Sequence, residues 1–287
     1  MNNTWFNFRN KFFLIFFLSA SLLVSLGIFS SCEQSNIFSD KDDVELGQEF
    51  DKEIKKNPKE FPMLEGSQTL KDFVTNMGKD ILNSPKIKKK NIYPYNFQLV
   101  HDTVINAFCT PGGFVYVYTG LMRFVDNEST LAGVVGHEIA HAERRHVTQR
   151  LTAYYGVSVL LSFILGGNPS FLAEIAANLF VGLAFLKNSR DDETEADYYS
   201  IQYLKSTKYY PGGITFFFDK IKEEQRKKGN TPGDLDRLLS SHPLPNDRIK
   251  FVNSELSKIK PKPDPTQGLF TDEYQKIKQQ IPTGRGR

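Results

Sequence analysis

The chain has 287 residues, of which 40% are hydrophobic and 24% charged, with a formal net charge of +3. That composition is globular and the length suits one sizeable core better than two. Without Arg9 and Lys11 the net charge falls to about +1, so no strong field argues for nucleic acid or an acidic substrate.

The N-terminus reads as an export signal. Arg9 and Lys11 form a short positive region, residues 12–29 carry no charge, and Ser30-Ser31-Cys32 follows before polar residues begin at Glu33. The expectation is a signal peptide over 1–31, a lipidated Cys32, and a polar linker over 32–43. The alternative is an uncleaved N-terminal membrane anchor, for which the apolar stretch is long enough. Either places the body in the cell envelope, facing the periplasm or exposed at the surface. With Cys32 acylated, Cys109 is left alone and a disulfide framework is excluded. Cys109 stands before Thr110-Pro111-Gly112-Gly113 and reads as a small buried thiol, not a nucleophile.

Residues 44–56 and 70–82 carry apolar residues at helical spacing. Lys88-Lys89-Lys90 is the one dense basic run and reads as a solvated turn. Residues 96–119 are β-branched and aromatic around a Pro-Gly-Gly turn and predict a small antiparallel unit. Asn127 or Ser129 caps a helix predicted to run from Thr130 to about Leu151. Residues 157–165 and 171–186 are apolar and interrupted, too short to span a bilayer. Helices are predicted over 190–204, 213–227 and 247–259, and Lys260-Pro261-Lys262-Pro263 stops the last. Residues 261–287 read as a peripheral tail.

The chemistry concentrates in His137-Glu138-Ile139-Ala140-His141. At ~100° per residue the two histidines sit on one helix face and can reach one metal ion, with Glu138 beside them to take a proton from a metal-activated water. The helix is apolar on several sides, and buried histidines with a carboxylate between them need a partner. His146 lies nine residues after His137, about 180° round a continuous helix, and is predicted to point away. Arg144 and Val147 stand where a metzincin has Gly and His, which excludes that class. A third ligand must come from elsewhere. Glu193 and Asp197, one turn apart, are candidates; spacing leaves open which would ligate and which would orient a histidine.

Four stretches in order resemble the M-forty-eight family of zinc metallopeptidases, the HtpX and CAAX-prenyl-protease type. They are Asn106-Ala107-Phe108 with Pro111-Gly112-Gly113 and Tyr118-Thr119-Gly120-Leu121; Gly136 to His141; Ser189-Arg190 through Glu193 to Ala196-Asp197; and Ser241-His242-Pro243 with Arg248-Ile249. The likeness spans residues 45–249. It implies an α+β, mainly helical, zincin-like (gluzincin) domain over 44–260, with a small antiparallel sheet next to the metal helix. It implies one zinc per chain held by His137, His141 and Glu193, with Asp197 supporting them and Arg248 bracing the region. It places Asn106, Ala107 and Phe108 along the cleft as a substrate edge, and His242 near the metal as a cap or an oxyanion partner.

The expected function is therefore that of a membrane-anchored zinc endopeptidase, with Glu138 as general base, cleaving unfolded or misassembled envelope proteins. The alternative is a latent or chaperone-like zinc-binding protein whose metal is structural.

Overall fold

The fold begins earlier than composition suggests. Ser39 caps helix α1 (Asp40–Lys56): its hydroxyl accepts from the Asp42 N–H at 3.2 Å and the Asp42 carboxylate accepts from the Ser39 N–H at 2.6 Å. Acids fill the first turn and lysines the last, matching the helix dipole. Leu46, Phe50 and Ile54 form its buried stripe, and Phe38 before the cap is buried too. The 32–43 linker is thus corrected: Ser-x-x-Asp is a helix start, and the packed chain already includes Phe38. The computed structural model describes residues 36–157, 160, 170–180, 188–228, 236–243 and 246–285. Cys32, the export segment, residues 161–169 and 181–187 lie outside the described residues. One compact unit covers Ile37–Arg287. Among the described residues, no helix is long and apolar enough to cross a membrane.

Helix α2 (Gln68–Leu82) buries Leu70, Val74, Met77 and Ile81 at helical spacing. Strands β1 (Asn96–Val100), β2 (Ala107–Thr110) and β3 (Phe114–Tyr118) form a sheet in the order β1-β3-β2. The β2–β3 pair is the expected hairpin, with Ala107 opposite Val117 and Thr110 opposite Phe114. Its turn needs Gly112 and Gly113, at φ of 74° and 85°. The β1–β3 pair is parallel, so the sheet is mixed and the antiparallel expectation is corrected. The cause is the 101–106 loop, which carries the chain across to the far side of β3. There Asp102 O accepts from the Gly120 N–H at 2.7 Å and the Thr119 hydroxyl at 2.9 Å, pinning the loop to the end of β3. β3 is buried along its length, as a central strand covered on both faces must be. Tyr116 and Tyr118 pack with Ile54 and Phe61, while Val115 and Val117 face the main core.

Helices α3 (Thr119–Phe124) and α4 (Glu128–Glu143) follow. The Asn127 side-chain Oδ1 caps α4 by accepting from the Thr130 N–H at 2.8 Å, and every residue of α4 is buried. It packs against α7 (Arg190–Leu204) and α8 (Gly213–Lys228).

The single helix predicted to Leu151 is two. Arg145 adopts the left-handed conformation, φ 66° and ψ 29°, and α5 (His146–Tyr155) starts a new direction. No glycine or proline marks this break. Tertiary contacts hold it: the Arg145 Nε donates to Asp43 at 2.6 Å, and the Glu143 carboxylate accepts from the Lys89 N–H at 2.9 Å and the Tyr95 hydroxyl at 2.7 Å.

Helix α6 (Phe171–Phe180) packs on α1. Helices α9 (Asp236–Ser241), α10 (Asn246–Lys258) and α11 (Thr271–Lys278) complete the order. The tail over 261–287 is not peripheral. Tyr274 on α11 is fully buried and its hydroxyl donates to Met122 O at 2.6 Å, and Ile281 joins the main core. Short as the segment is, these apolar anchors give it area to bury.

Candidate metal centre

Helix α4 sets His137 and His141 one turn apart with their Nε2 atoms 3.0 Å from each other. Helix α7 supplies the opposing carboxylates. Its start is fixed by a second capping box, the Ser189 hydroxyl accepting from the Asp192 N–H at 3.0 Å and Asp192 from the Ser189 N–H at 3.1 Å. From that start Glu193 reaches inward: its Oε2 lies 3.4 Å from His137 Nε2 and its Oε1 3.2 Å from His141 Nε2. His242, just past α9, brings Nδ1 to 2.9 Å from Glu193 Oε1 and Nε2 to 3.7 Å from Glu138 Oε1.

The donor set fits a divalent metal ion. Ligand atoms of His137, His141, Glu193 and His242 all lie within 4.8 Å of one another, and all four residues are buried. Zinc at 2.0–2.1 Å from tetrahedral ligands spaces them by ~3.3 Å, close to the three separations found between His137, His141 and Glu193. Two imidazole Nε2 atoms aimed at each other and at a carboxylate converge on one point, as ligands of a shared cation do.

Asp197, one turn beyond Glu193, places Oδ1 2.9 Å from His137 Nδ1, the ring nitrogen facing away from the converging donors. Arg248 on α10 grips Asp197 with two parallel bonds, Nε to Oδ2 at 2.8 Å and Nη2 to Oδ1 at 2.7 Å. Its Nη1 pairs with Glu193 Oε2 and donates to Pro243 O at 2.8 Å, joining α10, α7 and the His242 loop.

The electrostatics favour one positive charge among the donors. Burial by itself lowers His137, but Glu193 and Asp197 outweigh it and raise the imidazolium to about 9. Burial drives His141 well below its ordinary value, and the neighbouring His137 and His146 push the same way. Glu193 is raised by burial alone, yet His242, Arg248 and His137 hold its carboxyl well below the usual range.

The family model "Peptidase family M48" matches residues 70–256, well over half of the chain. The chain belongs to peptidase family M48.

Among this family's curated members, the beta-barrel assembly-enhancing protease of Yersinia pestis is 32% identical over 179 residues, covering 59% of this chain and 36% of that protein. The mitochondrial metalloendopeptidase OMA1 of Arabidopsis thaliana is 32% identical over 155 residues, covering 54% of this chain and 30% of that protein. Metalloprotease YcaL of Escherichia coli strain K12 is 26% identical over 185 residues, covering 63% of this chain and 70% of that protein. The chain thus spans about a third of the length of the first two. The mainly helical fold with a small sheet beside the metal-helix motif is the zincin-like arrangement the family resemblance implied.

Beside the M48 metal helix, β2 forms an edge of the sheet and packs on α4. Ala107 and Phe108 lie on it, Phe108 stacked on Tyr116 with ring centroids 4.7 Å apart. Asn106 just before it is buried, and its side-chain Oδ1 has no hydrogen-bond partner among the described residues. An apolar recess built by Val134, Ile214, Phe217, Ile221 and Leu238 opens next to Glu138 and His242. Burial raises the Cys109 thiol well above its ordinary value and the adjacent Glu138 pushes the same way, so it stays protonated and non-nucleophilic.

Two site residues escaped sequence reasoning. Asn188 sets Nδ2 3.2 Å from His242 Nδ1 and 3.5 Å from His141 Nε2. It sits one residue before the α7 cap, where nothing in its spacing distinguishes it from a loop residue. His146 was predicted to point away and instead meets the His141 ring at 2.7 Å between Nδ1 atoms. Its signal was present, but projecting it on an unbroken helix turned it to the wrong side.

Proposed function

We propose that the chain is a zinc-dependent endopeptidase of the cell envelope, acting on unfolded or misassembled polypeptides. The observation that carries this reading is the buried Glu138 carboxylate beside four convergent donors, next to an apolar recess and a sheet edge. His137, His141 and Glu193 would hold the ion, and zinc when bound supplies Lewis acidity to the scissile carbonyl and to water. Glu138 takes the proton of the attacking water on its carboxylate and returns it to the leaving amine. Asp197 orients His137, and Arg248 holds Asp197 and Glu193 in register. The edge of β2, unpaired with another strand among the described residues, offers main-chain groups to an extended substrate, with Asn106 at its start. His242, on the recess side of Glu138, donates to the oxyanion as it develops.

The names of the relatives support polypeptide substrates of the envelope, and the N-terminal pattern supports a lipid anchor through Cys32. A second reading draws on the closeness of His242 Nδ1 to Glu193, 2.9 Å. In that reading His242 closes the fourth position and the protein is latent or chaperone-like with a structural zinc. Zinc-loaded protein incubated with casein decides between them. Cleavage by wild type, with none by Glu138→Gln or after chelation, supports the peptidase; casein left intact by zinc-loaded wild type supports the latent state.

A further inference from the structure

His146 is buried, 1% exposed, and lies between the candidate metal centre and a partly exposed carboxylate, Glu195. Its Nδ1 lies 2.7 Å from His141 Nδ1, and its Nε2 lies 2.9 Å from Glu195 Oε2. Glu195 in turn accepts from Arg144 Nε at 3.0 Å, and the Arg144 guanidinium lies over the Tyr199 ring, 4.9 Å from its centroid.

The proton placement along this row follows from donor and acceptor chemistry. An ionised carboxylate only accepts, so the His146 Nε2 facing Glu195 carries hydrogen. A neutral His146 then has a bare Nδ1, an acceptor, and the His141 Nδ1 facing it must donate. A neutral His141 with hydrogen on Nδ1 has its lone pair on Nε2, the atom 3.2 Å from Glu193 Oε1 and 3.0 Å from His137 Nε2. The two histidines of α4 are therefore oriented by different means. His137 leans directly on the buried Asp197, while His141 is reached through a second imidazole by a carboxylate at the rim. The left-handed Arg145 makes this possible, because it ends α4 and lets the first residue of α5 fold back on His141.

We propose that His146 and Glu195 are positioning residues for the metal centre, a hydrogen-bonded relay that locks His141 in the Nδ1–H tautomer and aims its Nε2 lone pair at the ion. The inference rests on the metal-site reading above. Outer partners of ligating histidines commonly change metal affinity by about 10–100-fold, and a relay ending at the half-exposed Glu195 makes that affinity adjustable from the surface.

The test is the zinc dissociation constant of the purified full chain, measured by competition with a chromophoric chelator, together with the visible spectrum of the cobalt(II) form. His146→Phe fills the same space without the hydrogen bonds, Glu195→Ala removes the far acceptor, and Glu195→Gln keeps an acceptor without the charge. The expected result is zinc affinity about 10–100-fold weaker for His146→Phe, a smaller loss for Glu195→Ala, and a still smaller one for Glu195→Gln. The cobalt bands should shift in the same order while melting of the metal-free proteins stays close to wild type. If His146→Phe fails to fold, the two Glu195 variants decide. Wild-type affinity and spectrum in the variants overturn the relay alone; wild type that binds no zinc removes the metal site and the relay with it.

Discussion

Arg248 and Asp197 face each other across α10 and α7 as a buried bidentate pair, with both residues under 4% exposed. Asp197 braces His137 and Arg248 also touches Glu193, so one guanidinium sets the angle of two donors on different helices. Truncating one partner of such a pair leaves a charge buried without its counterion. Arg248→Ala is expected to cost about 3–5 kcal/mol of stability in chemical denaturation. Arg248→Lys should recover only part of this, because an ammonium cannot repeat the parallel bonds. Equal stability of the Lys variant and wild type would show that charge alone, not the fork geometry, holds the helices.

Glu138 lies within the donor cluster without being one of its convergent atoms, so its removal should separate chemistry from metal binding. Glu138→Gln is nearly isosteric. It is expected to keep one zinc per chain and the wild-type melting temperature while losing about 10²–10⁴-fold in kcat, the span usual for a general base. Zinc content by mass spectrometry and a fluorogenic peptide assay check both halves. Loss of zinc in this variant would instead place Glu138 among the ligands.

His242 sits between two roles, and its truncation tells them apart. With His137, His141 and Glu193 intact, His242→Ala should still bind one zinc. If His242 steadies the oxyanion, kcat falls by about 10²–10³-fold, the usual cost of one such donor. That fall is the expected result, and a rise in activity would identify His242 as a cap on a latent site.

The meeting of His137, Glu138 and His141 was legible because it is local: two histidines and an acid at i, i+1 and i+4 need only a helix to come together. Glu193 and Asp197 were legible as a pair for the same reason, and spacing alone gave them no separate roles. What the sequence concealed depends on tertiary contacts. The break at Arg145 is held by Asp43, about a hundred residues away, and no turn residue announces it. Missing that break reversed the direction of His146. The parallel pairing of β1 with β3 was hidden similarly, since strand propensity says nothing about which neighbour a strand takes or in which sense. The tail was misjudged because its apolar anchors, Phe270, Tyr274, Ile277 and Ile281, are scattered among prolines and polar residues.

The tie between α1 and the sheet should depend on pH. Burial alone raises the half-buried Asp51, but hydrogen bonds from Lys55, Gln98 and Tyr116 outweigh it and lower its carboxyl below the ordinary value. A lowered folded-state pKa stabilises above the unfolded value of ~3.9 and is lost as pH falls through the folded one. Asp51→Asn should therefore be less stable than wild type at pH 7, by under ~1 kcal/mol after solvent screening. The gap should narrow as pH falls below the unfolded value and close once the folded wild-type carboxyl protonates as well. Urea midpoints across that range test it, and a gap that widened in acid would contradict the sign.

Two glycines on α4 face its neighbours in different ways, and alanine should tell them apart. A Cβ at Gly133 would fall 2.4 Å from the backbone nitrogen of Ile214, so α4 and α8 would have to separate. At Gly136 the nearest atoms are side-chain ends, Leu204 Cδ1 and Ser200 Oγ, both at 3.0 Å, which can yield by a few tenths of an ångström. Alanine gains ~1 kcal/mol over glycine in a helix interior, while overpacking a core typically costs about 1–3 kcal/mol. Gly136→Ala should thus be close to neutral, its helix gain offsetting a small adjustment. Gly133→Ala should destabilise by about 1–2 kcal/mol, because a backbone atom cannot rotate aside as a side chain can. It should also weaken zinc binding, since Gly133 lies one turn before His137 and α8 lines the recess beside that histidine. Denaturation midpoints and zinc competition on the two variants check the contrast; equal behaviour of the pair would mean that α4 and α8 slide past each other freely.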